Sequence, residues 1–336
     1  MSFSCFYKIH IVSNFMKKTT LLFVIVTLLF ACEPKDPTGN NKTNPNDTTE
    51  HATGAILLPE GTLCNIFSVG ENKTVHFSKG NLQYQASTNT WRFAEEQYAL
   101  AGKNNENISA TYDGWIDLFG WGTSGYNNKF PYLYDAPHSD FGDGMNSIAD
   151  TNYDWGSNPI SNGENKPGIW RTLSADEWGY LLFDRPNAAK LVGAGSVNGQ
   201  NGLFILPDGY ADSLFVDYTG ESVPFISFDA KGAQHDGDYW YYGISNAFSH
   251  NTYSIEQFKI LESKGVLFLP SSVLRTGTTL MTGMGTKMVD GYYWTTTPFD
   301  TEKAYIVYIF SNGLRSRTEN YRSNGFSVRL VNDIEK

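Results

Sequence analysis

An α+β fold of small antiparallel sheets, two main helices and long ordered loops is what this sequence predicts, on three observations. Short alternating apolar and polar segments stand near both ends of residues 60–336, as half-buried strands require. Two segments in between carry complete helix-start signals. The stretches separating them, Gly120 to Gly168 above all, are dominated by Gly, Asn, Asp, Ser and Tyr and read as ordered loops laid over a small sheet.

In chain order, the first element is a targeting segment. Met16-Lys17-Lys18 precedes an almost wholly apolar run from Thr19 to Phe30, which ends in Leu29-Phe30-Ala31-Cys32. A basic start, an apolar run and a lipobox predict a signal peptide over residues 1–31, cleavage before Cys32 and lipid on Cys32. Met1 to Phe15 fit no signal scheme, so Met16 is the expected start. As a helix, Thr19 to Ala31 would reach only about 20 Å against a hydrocarbon core of roughly 30 Å, which makes it a signal and not a membrane span. Residues 32–59 follow as lipidated cysteine and tether, because Glu33 to Thr53 contain no aromatic or large aliphatic residue with which to fold. Its reach as a flexible coil is on the order of 25 Å.

Residues 60–336 then read as one domain. Ile66 to Val69, Val75 to Ser78, Leu82 to Gln85 and Trp91 to Phe93 are its first strands, the last two joined by a Ser87-Thr88-Asn89 turn. Leu173-Ser174-Ala175-Asp176-Glu177-Trp178 opens the first helix, with Ser174 as N-cap, Glu177 completing a capping box and Leu173 stapled to Trp178. Tyr253-Ser254-Ile255-Glu256-Gln257-Phe258 repeats the arrangement, and Gly265 stops that helix. Each helix is followed by an apolar strand ending in Leu-Pro, Leu203 to Pro207 and Val266 to Pro270. Ala304 to Phe310, an Asn312-Gly313 turn and Leu314 to Arg317 form a hairpin, and Phe326 to Val331 closes the sheet. Strands at both ends predict termini that lie close together.

The chain carries a net charge of −10. Removing residues 1–31 takes away Lys8, Lys17 and Lys18 but no acid, so the mature chain is more acidic still. Such a chain is a poor match for nucleic acid or an anionic membrane surface, which demand Lys and Arg against phosphate, and nucleic acid is ruled out as a partner. With Cys32 acylated, Cys64 is the one mature thiol, and no intramolecular disulfide or cysteine metal cluster is expected.

Catalytic motifs are missing. Gly122-Thr123-Ser124-Gly125 has the wrong spacing for a nucleophile elbow, and Gly283-Met284-Gly285-Thr286-Lys287 lacks the spacing of a phosphate loop. Helix capping and the macrodipole account for the adjacent acids Asp176 and Glu177. Asp140, Asp143, Asn146, Asp150 and Asp154 concentrate the oxygen ligands that calcium needs, in a spacing that fits no calcium loop; solvated Asx turns are the competing reading. Aromatic residues make up 15% of the chain and cluster at Asp236-Gly237-Asp238-Tyr239-Trp240-Tyr241-Tyr242. Asp238, Tyr239, Trp240, Tyr241 and Tyr242 are the candidate ligand-binding residues. Flat rings stack on the C–H faces of sugars or give rigid contact area to a protein, unless alternate members of the run face the core of a strand. The segment Trp115 to Trp121 and Trp170, Trp178 and Trp294 are expected in the core.

Gly168-Ile169-Trp170-Arg171-Thr172-Leu173-Ser174-Ala175-Asp176-Glu177-Trp178, Leu206-Pro207, Phe268-Leu269-Pro270, Tyr292 to Thr297 and Gly325 to Leu330 resemble the Fibrobacter succinogenes major paralogous domain and its relatives in Bacteroidota lipoproteins. Val75 to Tyr84 and Gly114 to Gly122 resemble the same group, so the likeness spans about residues 66 to 331. It implies a C-type-lectin-like core shared with formylglycine-generating enzyme, but not that reaction, whose cysteine pair has no counterpart after Cys64. The His-x-x-x-His-x-Glu cluster of the iron-dependent relatives is missing too, since His76, His138, His235 and His250 are scattered, and so are the lectin calcium motifs. The expectation is a non-catalytic, outer-membrane lipoprotein that binds a glycan or a protein. Glu33 and Asp36 beside the anchor resemble surface-export signals. The alternatives are a structural or surface-assembly component, or an enzyme of the formylglycine-generating superfamily with a site not recognised in the sequence.

Overall fold

The computed structural model describes the backbone of residues 3–10, 27–34 and 56–57, and residues 58–210, 225–241, 247–281 and 290–334 in full. The expected start at Met16, the apolar run from Thr19 to Val26, most of the tether, Tyr242 and the glycine-rich Gly283 to Lys287 lie outside the described residues. Phe3–His10, Thr27–Pro34 and Ile56–Leu57 form a three-stranded antiparallel sheet, so the end of the apolar run, expected as part of a signal, is strand here. With only its own chain to pair with, its backbone bonds to the neighbouring strand. No helix among the described residues is long and apolar enough to cross a membrane.

The rest is a set of small, mostly antiparallel sheets with few helices, as the α+β expectation requires. Phe67–Gly70, Lys73–Phe77, Leu330–Asp333 and Arg171–Thr172 form one four-stranded sheet in that order. Val331 lies opposite Phe77, which brings the two ends of the domain together as expected. The second four-stranded sheet runs Thr252–Tyr253, Val192–Val197, Gln200–Ile205, Leu267–Pro270. The two apolar segments that follow the helices are therefore direct antiparallel partners, Leu203 opposite Leu269. Leu82–Gln85 pairs with Thr90–Phe93 through a turn in which Asn89 takes a φ of 49°, and with Trp115–Ile116 on its other side.

Both capping boxes form. Glu177 N donates to Ser174 Oγ at 3.2 Å while Ser174 N donates to Glu177 Oε2 at 2.8 Å, opening the helix Ala175–Gly179. A wider π turn, Tyr180–Asp184, continues it. Ser254 and Gln257 repeat the exchange at the start of the helix Ile255–Ser263, which ends before Gly265 at a φ of 78°. Leu173 and Trp178 are buried in one cluster with Phe67, Phe77, Leu203, Trp240 and Val307. A second cluster gathers Trp91, Trp121, Trp155, Trp170, Trp294 and Phe326. The loops between Gly120 and Gly168 supply part of it, so they are folded against the sheets through their own apolar residues.

The largest sheet orders Gln234–Asp236, Tyr239–Tyr241, Gly313–Tyr321, Lys303–Phe310 and Gly291–Pro298. Its central hairpin differs from expectation by one residue: Phe310 pairs with Gly313, so Ser311-Asn312 is the loop. Gly313 is glycine for a different reason than a turn. A Cβ there would stand 2.0 Å from the Trp240 carbonyl oxygen and 2.9 Å from the Phe310 ring.

Cys64 is disulfide-bonded, which corrects the expectation of no intramolecular disulfide. That expectation counted the processed chain, whereas the full chain keeps Cys5 and Cys32, whose side chains lie outside the described residues. Nearby, His76 is buried with Nδ1 3.0 Å from the Asn65 carbonyl oxygen, and burial pushes its pKa down. The unfolded chain therefore binds a proton near pH 6.5 that the native one resists, and His76 subtracts stability as pH falls from about 6.5 through its lowered folded value. Urea midpoints at pH 7.5 and 5.5 should show a smaller acid loss in His76→Gln than in the parent. Equal losses in the two would show that His76 carries none of the slope.

Candidate functional site

The aromatic run at residues 239–241 occupies a strand near the edge of the five-stranded sheet, and the strand period of two divides it. Trp240 points inward, 7% exposed, with Nε1 donating to the Leu182 carbonyl oxygen at 3.1 Å. His235 stacks on it at 4.7 Å, and Phe183 and Phe228 each lie 5.8 Å away. Trp240 is thus a core plug, and the expectation that it belongs to a binding platform is corrected. Tyr239 and Tyr241 point the other way, Tyr241 being 36% exposed. Asp238 sits in the two-residue loop with Gly237 that joins the edge hairpin, 3.9 Å from Arg317. Tyr242 is outside the described residues.

The outer face that Tyr239 and Tyr241 share was not visible in the sequence as one site. Register places Tyr239 opposite Arg315, Arg315 opposite Tyr308 and Tyr308 opposite Tyr292, a row that crosses four strands. A second row, Tyr241, Gly313 and Phe310, runs beside it. The rings touch in sequence. Tyr241 lies 5.9 Å from Tyr239, Tyr239 is 5.8 Å from Phe310, and Phe310 is 5.0 Å from Tyr308. Tyr308 stacks nearly parallel on Tyr292 at 5.0 Å and 9°, and Tyr292 leans on buried Phe326 at 4.9 Å. The Arg315 guanidinium lies 4.5 Å from the Tyr239 centroid, within cation–π range. Without a side chain at Gly313, the Phe310 ring can lie close over the backbone there.

Tyr292 donates to Asp290 Oδ2 at 3.5 Å. Burial, and then Asp290, push the Tyr292 pKa up; burial does the same to Tyr308 and Asp290. The phenols are consequently neutral donors. The face combines stacked rings, hydroxyls, one carboxylate and one guanidinium, and it emerges from the second core through Phe326 and Trp294, which are 4.8 Å apart.

The calcium candidates do not converge. Asp140 ends a short 3₁₀ turn, His138–Asp140, while Asn146 Nδ2 donates to Asp143 Oδ2 at 3.2 Å and Asn146 N to the Asp143 carbonyl oxygen at 3.0 Å. That is a local Asx arrangement. Asp154 is buried and caps the turn Trp155–Ser157. Among the described residues there is no group of three or more His, Cys, Asp or Glu placed to hold a metal ion. Trp121, Trp170, Trp178 and Trp294 are buried as expected, but Trp115 is half-exposed at a sheet edge with the Arg92 guanidinium 4.0 Å over it. One polar pair stands apart: His138 Nδ1 is 2.7 Å from Ser323 Oγ, and the imidazole stacks on Tyr321 at 4.3 Å. Stacking and that single bond orient the ring; among the described residues no carboxylate is hydrogen-bonded to it.

Fold and site together define a small-sheet α+β domain that displays an aromatic face. No known protein family, curated protein or solved structure matches the chain.

Proposed function

We propose that this chain is a non-catalytic, lipid-anchored binding protein of the outer membrane that recognises a glycan through the aromatic face of its five-stranded sheet. The observation that carries the reading is the row of partly exposed rings Tyr241, Tyr239, Phe310, Tyr308 and Tyr292 in continuous contact. Sugar rings offer apolar C–H faces to such rings, while Tyr hydroxyls, Asp290 and Arg315 are placed to take their hydroxyls. The anchor is lipid on Cys32 after removal of residues 1–31, within the C-type-lectin-like lipoprotein group that the sequence resembles. In that processed form neither Cys5 nor Cys32 has a thiol left to close the Cys64 disulfide of the full chain.

The test is a glycan array probed with the full chain extracted from membranes in detergent. Tyr239→Ala and Tyr308→Ala should each weaken binding by about 0.5–1.5 kcal/mol and the pair by about 1–3 kcal/mol, whereas Tyr134→Ala, at an exposed tyrosine elsewhere, should not weaken it. Cys32→Ser should leave the membrane fraction but keep the binding. Retained affinity in the double variant overturns the platform; binding to no glycan favours a structural or surface-assembly role.

A further inference from the structure

The arginines of this acidic chain are almost all committed. Arg171 pairs with Glu177 and Asp333, Arg185 with Asp208, and Arg92 approaches Glu95. Arg275, Arg322 and Arg329 are buried and donate to backbone carbonyls. Arg317, two residues beyond Arg315 across a bulge in its strand, is held by Asp176 and Asp238. Arg315 differs from all of them. It is exposed, forms no ion pair among the described residues, and stands in the middle of the aromatic row between Tyr239 and Tyr308.

An exposed guanidinium at the centre of a ring platform is fixed in orientation by the ring beneath it, and its N–H edge stays open. That fork matches a planar or tetrahedral anion and is poorly used on neutral hydroxyls alone. Asp290, the acid bonded to Tyr292, stands beside the Tyr292–Tyr308 end of the same row. The face is therefore polarised: a cation in its middle, an acceptor at one end, rings throughout. Strands are about 4.8 Å apart, so the row from Tyr239 to Tyr292 extends over three such steps, enough for a short oligosaccharide.

Resting on the glycan reading above, we infer that the ligand is an acidic glycan, whose anionic substituent, a uronate carboxylate or a sulfate ester, is held by Arg315. The neutral parts of the sugar stack on Tyr239, Tyr308 and Tyr292. The overall negative charge of the chain opposes nonspecific capture of polyanions, so such binding has to be local to this guanidinium.

Matched pairs test this by calorimetry on the full detergent-extracted chain: polygalacturonate against its methyl ester, and dextran sulfate against dextran. At least one acidic member should bind about tenfold or more tighter than its neutral counterpart, and more weakly as salt is raised. Arg315→Gln should erase that difference with an unchanged thermal melt, Arg315→Lys should keep part of it, and Lys103→Gln, at an exposed lysine outside the face, should keep all of it. Which pair responds identifies carboxylate or sulfate. Equal binding within both pairs overturns the acidic class and leaves the platform standing. Equal losses in Arg315→Gln and Lys103→Gln overturn the assignment to Arg315. Binding by no member of either pair, with binding to neutral glycans on the array, also overturns the acidic class; no glycan binding of any kind overturns the platform as well.

Discussion

Replacing Asp154 with alanine should cost about 3–5 kcal/mol, a large share of the stability of a domain. The carboxylate is 3% exposed and accepts three hydrogen bonds: Gly156 N at 3.1 Å, Thr172 N at 3.0 Å and Thr172 Oγ1 at 2.7 Å. Those bonds tie the loop at residues 154–157 to the strand Arg171–Thr172, itself an edge of the sheet that joins the two ends of the domain. Alanine leaves two backbone donors buried without a partner. Asp154→Asn should cost less, about 1–3 kcal/mol, because the amide oxygen still accepts from Thr172 N and the Thr172 hydroxyl can turn to accept from the amide nitrogen, which leaves only Gly156 N without its acceptor. Burial pushes the pKa of Asp154 up against the pull of the same three bonds and of Arg171. Urea midpoints in the order parent, Asn, Ala check this; an alanine variant melting with the parent would sink it.

The second large effect is at Trp294, where loss of the indole should remove about 3–5 kcal/mol and weaken the aromatic face as well. Its ring is buried against Phe326, and Nε1 donates to the Phe119 carbonyl oxygen at 2.6 Å, a long-range bond between the last strands and the early loops. Trp294→Phe should keep most of the packing but lose that bond. Because Phe326 also supports Tyr292, Trp294→Ala should reduce glycan affinity even under conditions where the protein remains folded. Thermal melts together with calorimetry separate the two losses. Full affinity in folded Trp294→Ala would show that the face does not depend on the core beneath it.

Local signals were the legible part of the fold. Ser174, Glu177, Ser254 and Gln257 act within one helical turn, so their capping boxes could be read directly and are present. The hairpin from Leu82 to Phe93 followed from alternation and its turn residues, and strands at both ends of the domain pointed to termini that lie close together, though not to their pairing. The strand Val192–Val197 was not among the expected elements, because glycines at 193 and 195 interrupt its apolar pattern. They are there for close packing: a Cβ on Gly195 would stand 2.2 Å from the Asn251 carbonyl oxygen. Gly313 misled in the same way, looking like a turn residue while serving a close strand contact.

The candidate site was half legible. Composition marked residues 238–242, but a run of aromatics does not state which members share a side of the strand, and period two assigns Trp240 to the core. Tyr292, Tyr308, Phe310 and Arg315 reach the same face from separate strands through cross-strand register, which no local pattern encodes. The alternation at Tyr308 and Phe310, polar side out and Val307 and Ile309 in, was the one signal that could have found them.

The position of Leu330–Asp333 bears on how the molecule is made. Every other strand of its sheet precedes it in the chain, yet it lies in the interior of that sheet, between Lys73–Phe77 and Arg171–Thr172. The early strands must wait, with their pairing edges open, until synthesis has passed residue 333, since contacts of such sequence separation form late. Under the export proposed above, which requires a chain threaded through a membrane before it folds, this delay is useful. A sheet that cannot close until its final strand arrives keeps the polypeptide loose enough to be exported.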